Sequence, residues 1–332
     1  MPFHVQASRD GVLKVRQRKR FASKASWFWC GIAVFFVVCP RRVAAFGFER
    51  DATQWKRDGK HPIEFVINLA QFPSTFTPEQ YLTYLRNGLE PWSRVTTADV
   101  PFTIQGTIDE PEKTAAEEDG VNMIFWKPNF VPHDQFAGKA YPFASECDIL
   151  LAPKPPFTLI DVEAIIMHEL GHCLGLAHST AHSVMTKFQG LPALGSDDAI
   201  GVSLLYPRED VSLERTTASL SGLVLREGKP LRGAVLRVVD SKTQRIVVSG
   251  FSGLIDGQRR VSRGSRFELL GIPPGRYTLH VEPMDAFAAA DPKGYGAPVS
   301  VPPPTFQPMS VELSELSAGD THDVGTLNLE AQ

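Results

Sequence analysis

The sequence predicts an α+β protein in which a sheet with three helices is followed by an antiparallel β-sandwich. Two observations lead to this fold class. Up to Pro207, strand-like segments are interspersed with segments of helical periodicity, whereas after Thr217 only short alternating segments between glycines and prolines remain. The length of 332 residues and the hydrophobic content of 43% suit roughly two domains.

Three helices are predicted in the first region from their caps and their apolar spacing. The first follows Thr77 as N-cap, with a proline at the first helical position and a glutamine completing a capping box, and runs to about Ser93. Asp161 is a suitable N-cap for the second helix, and Ser196 for a third that ends before Pro207. Two further acids, Asp197 and Asp198, are expected in the first turn of the third helix, one of them buried against a positive group.

Strands are predicted wherever β-branched and aromatic residues form short apolar runs between turn residues. In the first region these runs are 63–69, 100–105, 121–125 and 147–151. In the second region they are 220–225, 234–239, 245–249, 267–270, 277–281 and 324–329. Because the second set is regularly spaced and lacks a helical period, it indicates an antiparallel β-sandwich.

The first 45 residues have the composition of a secretory signal peptide. Nine basic residues and one acid give them a net charge of +8, and a charge-free run from Trp27 to Cys39 precedes small residues that end at Ala45. We expect cleavage after Ala45 and a secreted or extracytoplasmic protein; an uncleaved membrane anchor is the alternative. The whole chain has a formal net charge of −3, so the residues after 45 carry a net charge of about −11. This negative charge argues against nucleic acid as a partner.

One stretch carries the chemistry: residues 168–178 read HExxHxxGxxH. Residues four apart share one helix face, so His168 and His172 can bind the same ion. A straight helix could not bring His178 to that ion, and Gly175 breaks the helix because glycine adopts a left-handed conformation at little cost. The pattern predicts Zn²⁺ held by three histidines, with the fourth position open as in catalytic zinc sites.

Glu169 is the predicted general base of this centre. Zinc lowers the pKa of a bound water molecule to about 7 and polarises a carbonyl group, and a carboxylate at this position can take the proton and return it to a leaving amine. A site that bound zinc without catalysis would not need this carboxylate. The alternative function is a zinc-binding adhesion or recognition protein with a catalytically weak protease domain.

The extended motif resembles that of the metzincin metalloendopeptidases. Met185 stands seven residues after His178, where the resemblance implies the Met-turn that supports the zinc site. Ser179 and the segments 137–141, 147–149 and 197–206 are most similar to the matrixin branch. This resemblance implies a twisted mixed sheet with three helices, a protein or peptide substrate bound along an edge strand near residues 137–141, and possible structural Ca²⁺ besides zinc.

The sequence also departs from the family pattern. Lys187 occupies the position where some metzincins have a tyrosine ligand, so we expect no fifth protein ligand. No cysteine-switch propeptide is recognisable, from which we expect an enzyme that is active on export or controlled by other means. Asp148 is a candidate for holding Ca²⁺ or substrate, with a strand-end hydrogen bond as the alternative.

Two cysteines remain after the signal peptide, Cys147 and Cys173. An exported protein permits a disulfide between them, and two buried free thiols are the alternative. In the second region, residues 218–283 resemble carboxypeptidase regulatory-like, transthyretin-type sandwich domains, which implies an accessory module whose ligand the sequence does not specify. The predicted domains are therefore 1–45 (signal peptide), 46–210 (protease) and 211–332 (sandwich).

Overall fold

The structure is a computed structural model that describes residues 55, 61–73, 76–113, 115–127, 138–151, 159–187, 193–255, 260–298 and 305–331. The predicted signal peptide, including Cys30 and Cys39, lies outside these residues. Within these ranges, no helix is long and apolar enough to cross a membrane.

The first region contains a five-stranded mixed sheet, as predicted. Its strands are β1 (Ile63–Asn68), β2 (Phe102–Ile108), β3 (Asn122–Trp126), β4 (Gly138–Pro142) and β5 (Cys147–Leu151). They lie in the order β2-β1-β3-β5-β4, and only β4 runs antiparallel to its neighbour. Strand β4 is therefore an edge strand, with one side unpaired within the sheet.

Three helices accompany this sheet: α1 (Pro78–Ser93), α2 (Leu159–Cys173) and α3 (Ser196–Leu205). Helix α1 has the predicted capping box at Thr77 and ends at the predicted residue. Its buried face contacts helix α2, where the Trp92 indole N–H donates to the Met167 carbonyl at 3.0 Å. This contact holds α1 against helix α2 at Met167, the residue before His168.

Two predicted helix starts were wrong, the first by three residues and the second by one. Helix α2 begins at Leu159, so Asp161 lies inside its first turn rather than at the N-cap. Helix α3 has Gly195 as N-cap instead of Ser196, because the Asp198 carboxylate turns back to accept the Gly195 N–H at 2.7 Å. Both errors arise because an acid or a serine in the first turn resembles a cap in sequence.

The second region follows a short helix, α4 (Leu213–Thr216), and consists of two four-stranded sheets and a hairpin. The first sheet contains β6 (Ala218–Arg226), β7 (Lys229–Pro230), β12 (Arg266–Ile272) and β15 (Thr321–Leu329). The second contains β8 (Val235–Asp240), β9 (Ile246–Phe251), β13 (Tyr277–Glu282) and β14 (Met309–Glu312). The hairpin pairs β10 (Leu254–Ile255) with β11 (Arg260–Val261).

The sandwich differs from its prediction in two ways. Strand β15 runs parallel to β6, so the sheets are not wholly antiparallel. A short helix, α5 (Ala286–Ala290), and strand β14 lie where no element was predicted. Both are too short to produce a clear period in sequence.

One continuous hydrophobic core joins the two regions. It extends from Phe65 and Leu85 to Phe267 and Leu279. At the junction, Gly271 approaches Ile200 of helix α3 so closely that a Cβ atom would overlap the isoleucine side chain. The sandwich is thus packed directly against the last helix of the first region.

Candidate metal centre

Helix α2 places the first two histidines of the motif on one face. The two Nε2 atoms of His168 and His172 lie 3.1 Å apart. His172 is 9% exposed. The i,i+4 spacing therefore brings the two rings together as predicted.

The chain reverses after Cys173 through a Schellman motif. Gly175 has a φ of 97°, and its N–H donates to His172 O while the Leu176 N–H donates to Gly171 O, both at 2.9 Å. A side chain would be strained at this φ, which explains the glycine. The reversal brings the His178 ring centroid to 5.4 Å from that of His168 and 4.8 Å from that of His172.

The three histidines fit a cation. Their ligand atoms all lie within 4.8 Å of one another. His168 Nδ1 lies 2.7 Å from Val184 O and His172 Nδ1 lies 2.8 Å from Leu176 O, and because a carbonyl only accepts, each Nδ1 carries the proton. Both Nε2 atoms therefore present lone pairs to each other at close range. This arrangement is repulsive unless a cation lies between them, and Zn²⁺ is the ion whose donor preferences match.

Burial keeps the rings of His168 and His178 neutral, as metal ligation requires. It lowers the pKa of His168 to about 3, and proximity to His172 acts in the same direction. Burial likewise lowers the pKa of His178, with further lowering from the two other histidines and from Lys187. The pocket thus disfavours imidazolium over the whole physiological pH range.

Glu169 lies next to the histidine cluster and is only 7% exposed. Its Oε2 atom accepts a hydrogen bond from the Ala140 N–H of edge strand β4 at 2.7 Å. A side chain at Gly138 would overlap Glu169 Cγ, so the glycine lets β4 approach the helix. The carboxylate is therefore positioned between helix α2 and the unpaired edge of the sheet.

Met185 is fully buried and packs against helix α2. A Cβ atom on Gly171 would overlap its sulfur, so the glycine before His172 makes room for Met185. The Met185 carbonyl accepts the N–H of Ser179, the residue after His178, at 3.0 Å. Met185 thus contacts both helix α2 and the loop of the third histidine.

Asp197 and Asp198 are both completely buried. The expectation of a positive partner was wrong: hydroxyl and backbone N–H groups surround them instead. Asp198 accepts from the Ser183 hydroxyl and the Val184 N–H, and Asp197 accepts from the hydroxyls of Ser179 and Ser249. Burial is the main reason that the pKa is raised to about 8 for Asp197 and to about 6 for Asp198.

Cys147 and Cys173 form a disulfide, which decides between the two alternatives left open by the sequence. It links strand β5 to the last residue of helix α2, directly after His172. Both cysteines are fully buried. The covalent link therefore holds the C-terminal end of the zinc helix against the sheet.

Asp148 makes strand-end hydrogen bonds. Its two oxygens accept the backbone N–H groups of Met123 at 2.8 Å and Glu117 at 3.1 Å. Burial raises its pKa to about 7, which is partly opposed by the nearby Lys113 ammonium. These contacts give Asp148 a structural role in the sheet and provide no support for calcium at this position.

Sequence reasoning missed the contribution of the sandwich to this site. Lys187 forms an ion pair with Asp291 of the sandwich at 2.8 Å. The Gly294 carbonyl accepts the His178 N–H at 2.9 Å. The centroid of the Tyr295 ring lies 5.4 Å from that of the His178 ring. The only sequence signal was the local cluster of Asp, Pro, Gly and Tyr at 291–296, which resembles an ordinary surface turn.

Comparison with known proteins agrees with this geometry. Residues 54–207 match the family model of the matrixin peptidases. This part of the chain is therefore similar to the matrixins. The match supports a zinc metalloendopeptidase as the class of this domain.

Two curated proteins that are similar to this chain are stromelysin-3 proteins. The mouse (Mus musculus) protein is 24% identical over 201 residues, which cover 58% of this chain and 39% of the relative. The rat (Rattus norvegicus) protein is 25% identical over 166 residues, which cover 48% and 33%. The chain thus spans less than half the length of either relative.

Solved structures that resemble the chain have low TM-scores. The Bacillus anthracis TIE protein is 17% identical, with 35% of this chain and 17% of that chain covered and a TM-score of 0.20. Klebsiella pneumoniae 5-hydroxyisourate hydrolase is 16% identical, with 34% and 87% covered and a TM-score of 0.20. The Bacillus cereus major pilin subunit BcpA is 15% identical, with 35% and 31% covered and a TM-score of 0.22. Likenesses at this level carry no argument about function.

Proposed function

We propose that this protein is a secreted zinc-dependent metalloendopeptidase in which Glu169 is the general base. The observation that carries the proposal is the position of the Glu169 carboxylate. Glu169 follows directly after His168, a member of the three-histidine cluster. Its carboxylate accepts a hydrogen bond from the Ala140 N–H of an edge strand. A carboxylate in this position serves proton transfer, since the three imidazoles already suffice to hold the ion.

His168, His172 and His178 would hold the zinc ion, which supplies Lewis-acid polarisation of a peptide carbonyl and lowers the pKa of water. Glu169 takes a proton from the attacking water and returns it to the nitrogen of the departing amine. The hydrogen bond from the Ala140 N–H to Oε2 orients the carboxylate for this proton transfer. The buried surroundings strengthen these electrostatic interactions.

Strand β4 is the proposed binding edge for the substrate. It terminates the five-stranded sheet, and its Ala140 N–H points toward helix α2. An extended peptide that pairs with this edge would run past Glu169 and the histidines, with main-chain hydrogen bonds providing affinity independent of sequence. We therefore expect internal bonds of extended protein segments to be cleaved.

The domain arrangement is part of the proposal. Residues 1–45 act as a signal peptide, 46–210 form the protease domain and 211–332 the sandwich domain. N-terminal sequencing of the exported protein tests the first of these boundaries. A start near Phe46 in the soluble fraction supports secretion, whereas an intact N-terminus in the membrane fraction contradicts it.

The catalytic proposal is tested by comparing native protein with Glu169→Gln on a denatured protein substrate, with zinc content measured for both. We expect equal zinc content in the two proteins. The kcat of the variant should be about 10²- to 10⁴-fold lower, which is the usual contribution of general acid–base catalysis. Glu163→Gln is the matched control, because Glu163 lies on the same helix and bonds to Asn87 instead. A native protein that binds zinc but cleaves no faster than Glu169→Gln would show that the proposal is wrong.

A further inference from the structure

His178 is held differently from the two other histidines. His168 and His172 each have their Nδ1 atom fixed by a backbone carbonyl. The buried Nδ1 atom of His178 has no hydrogen-bond partner among the described residues. The ring of the third histidine must therefore be oriented by its backbone and by the groups that pack against it.

Those groups come from one segment of the sandwich, residues 291–297. The Gly294 carbonyl accepts the His178 N–H at 2.9 Å. The Tyr295 ring packs against the imidazole with 5.4 Å between centroids and 49° between planes. Backbone and ring of His178 are thus both contacted by consecutive residues of the other domain.

The 291–297 segment has internal order. The Ala297 N–H donates to the Pro292 carbonyl at 2.9 Å, and the Gly294 N–H donates to the Asp291 carboxylate at 3.1 Å. A Cβ atom on Gly294 would overlap that carboxylate, so only glycine permits this turn. The segment therefore presents a preformed surface to His178.

Tyr295 is anchored in the sandwich rather than in the matrixin-like domain. It is 4% exposed and belongs to a small separate core whose other members all come from the sandwich. These members are Val235, Phe251, Leu254, Met284, Ala288 and Ala297. The ring that contacts His178 is thus backed by a buried apolar cluster of the second domain.

Three further contacts tie the same parts of the two domains together. Lys187, two residues after Met185, forms its ion pair with Asp291 at 2.8 Å, and the lysine side chain is only 13% exposed. The Arg237 guanidinium donates to the Thr180 carbonyl at 3.2 Å. Asp197 receives hydroxyl hydrogen bonds from Ser249 of the sandwich and from Ser179.

We propose that the β-sandwich is a positioning element of the metal centre, with Asp291, Gly294 and Tyr295 as the residues that orient the third ligand. A loop outside a helix loses conformational entropy when it binds a metal, and contacts that order it beforehand reduce that cost. This inference depends on the proposed function in one respect only, which is the identity of the bound ion as zinc. It gives the sandwich a role at the metal site itself.

The test uses full-length protein and measures metal binding directly. The variants are Asp291→Ala and Tyr295→Ala, with Tyr295→Phe as the conservative replacement that keeps the ring. Their matched controls are Glu315→Ala, which breaks the exposed Arg276–Glu315 ion pair, and Tyr277→Ala, which removes another buried sandwich tyrosine. The readouts are the zinc dissociation constant by chelator competition, the visible absorption spectrum with Co²⁺, and thermal unfolding of the metal-free protein.

We expect the zinc dissociation constant to rise about 10- to 100-fold in Asp291→Ala and Tyr295→Ala, the usual effect of removing a group that orients a ligand. The Co²⁺ spectrum should change in these two variants, return toward the native form in Tyr295→Phe and remain native in both controls. Asp291→Ala removes a partly exposed side chain and keeps the test decisive if Tyr295→Ala does not fold.

Zinc affinities and Co²⁺ spectra that are equal in native protein, Asp291→Ala and Tyr295→Ala would overturn this inference. A loss of affinity in Tyr277→Ala as large as that in Tyr295→Ala would also overturn it, because general destabilisation would then explain both. Native protein that binds zinc without cleaving peptides would contradict the proposed function alone. Native protein that binds no zinc would contradict both.

Discussion

The Asp198 carboxylate accepts the backbone N–H of Val184 at 2.8 Å, inside the turn that leads to Met185. The carbonyl of the same Val184 faces Nδ1 of His168 at 2.7 Å. A buried acid of helix α3 is therefore connected to the first histidine through one peptide residue. This connection links an acid in the first turn of α3 to the backbone that orients the His168 ring.

Replacement of Asp198 should separate its acceptor role from its charge. Asp198→Ala leaves the buried N–H groups of Val184 and Gly195 without their acceptor, so we expect a loss of about 2–4 kcal/mol in unfolding free energy and weaker zinc binding. Asp198→Asn keeps one acceptor oxygen and should cost only about 1 kcal/mol. Urea unfolding and chelator competition measure both effects. Equal losses in the two variants would contradict this account.

Gly171→Ala should disturb the packing between helix α2 and Met185. Alanine normally stabilises a helix by about 1 kcal/mol relative to glycine, but here its Cβ atom would overlap the Met185 sulfur and lie 3.1 Å from Trp92. We expect a net destabilisation of about 1–3 kcal/mol by thermal unfolding, together with weaker zinc binding. Gly264→Ala is the control, since its Cβ atom would meet only Ser262 Oγ at 3.9 Å. Higher stability in Gly171→Ala would refute the packing argument.

Loss of the Cys147–Cys173 disulfide should destabilise the protein substantially. The two cysteines are 26 residues apart, and closing a loop of that size in the unfolded chain is worth about 3–4 kcal/mol. We expect the Cys147→Ala/Cys173→Ala double variant to lose about 3–4 kcal/mol of unfolding free energy, measured by urea unfolding. A reductant should lower the stability of the native protein and leave that of the double variant unchanged. Native protein whose unfolding is insensitive to reductant, although its thiols titrate as reduced, would disprove the prediction.

Stability should depend on pH through Asp148. Its pKa is raised from 3.8 to about 7 in the folded state, so the folded protein retains a proton that the unfolded chain releases above about pH 4. This contribution is complete below pH 4 and is lost as the pH rises to about 7. The stability of native protein relative to Asp148→Asn should therefore fall by about 1–3 kcal/mol between pH 4 and pH 7. A difference that stays constant or increases over this range would exclude the raised pKa.

The features that were predicted correctly from the sequence arise from residues that are close together along the chain. The capping box of helix α1 and the common face of His168 and His172 follow from spacings of three and four residues, which a helix converts directly into contacts. The break at Gly175 follows from the conformational freedom of glycine. The longer strands were located to within a few residues because alternation is also a local pattern.

The errors and omissions concern contacts between distant parts of the chain. The burial of Asp197, whose partners Ser179 and Ser249 lie in different domains, cannot be read from its position in a first helical turn. The parallel pairing of β15 with β6 has no local signature, because alternation is the same for either direction.

The sequence by itself determined the chemistry: three histidines, a carboxylate and a helix-breaking glycine within eleven residues specify a metal site wherever a helix forms. Only the tertiary structure decided that Cys147 pairs with Cys173, that Ala140 meets Glu169, and that Tyr295 of the sandwich packs on His178. Backbone propensities and side-chain periods act over a few residues, whereas these contacts depend on how the completed sheets and helices pack. The proposed third zinc ligand is therefore contacted by a domain whose sequence contains no metal-binding motif.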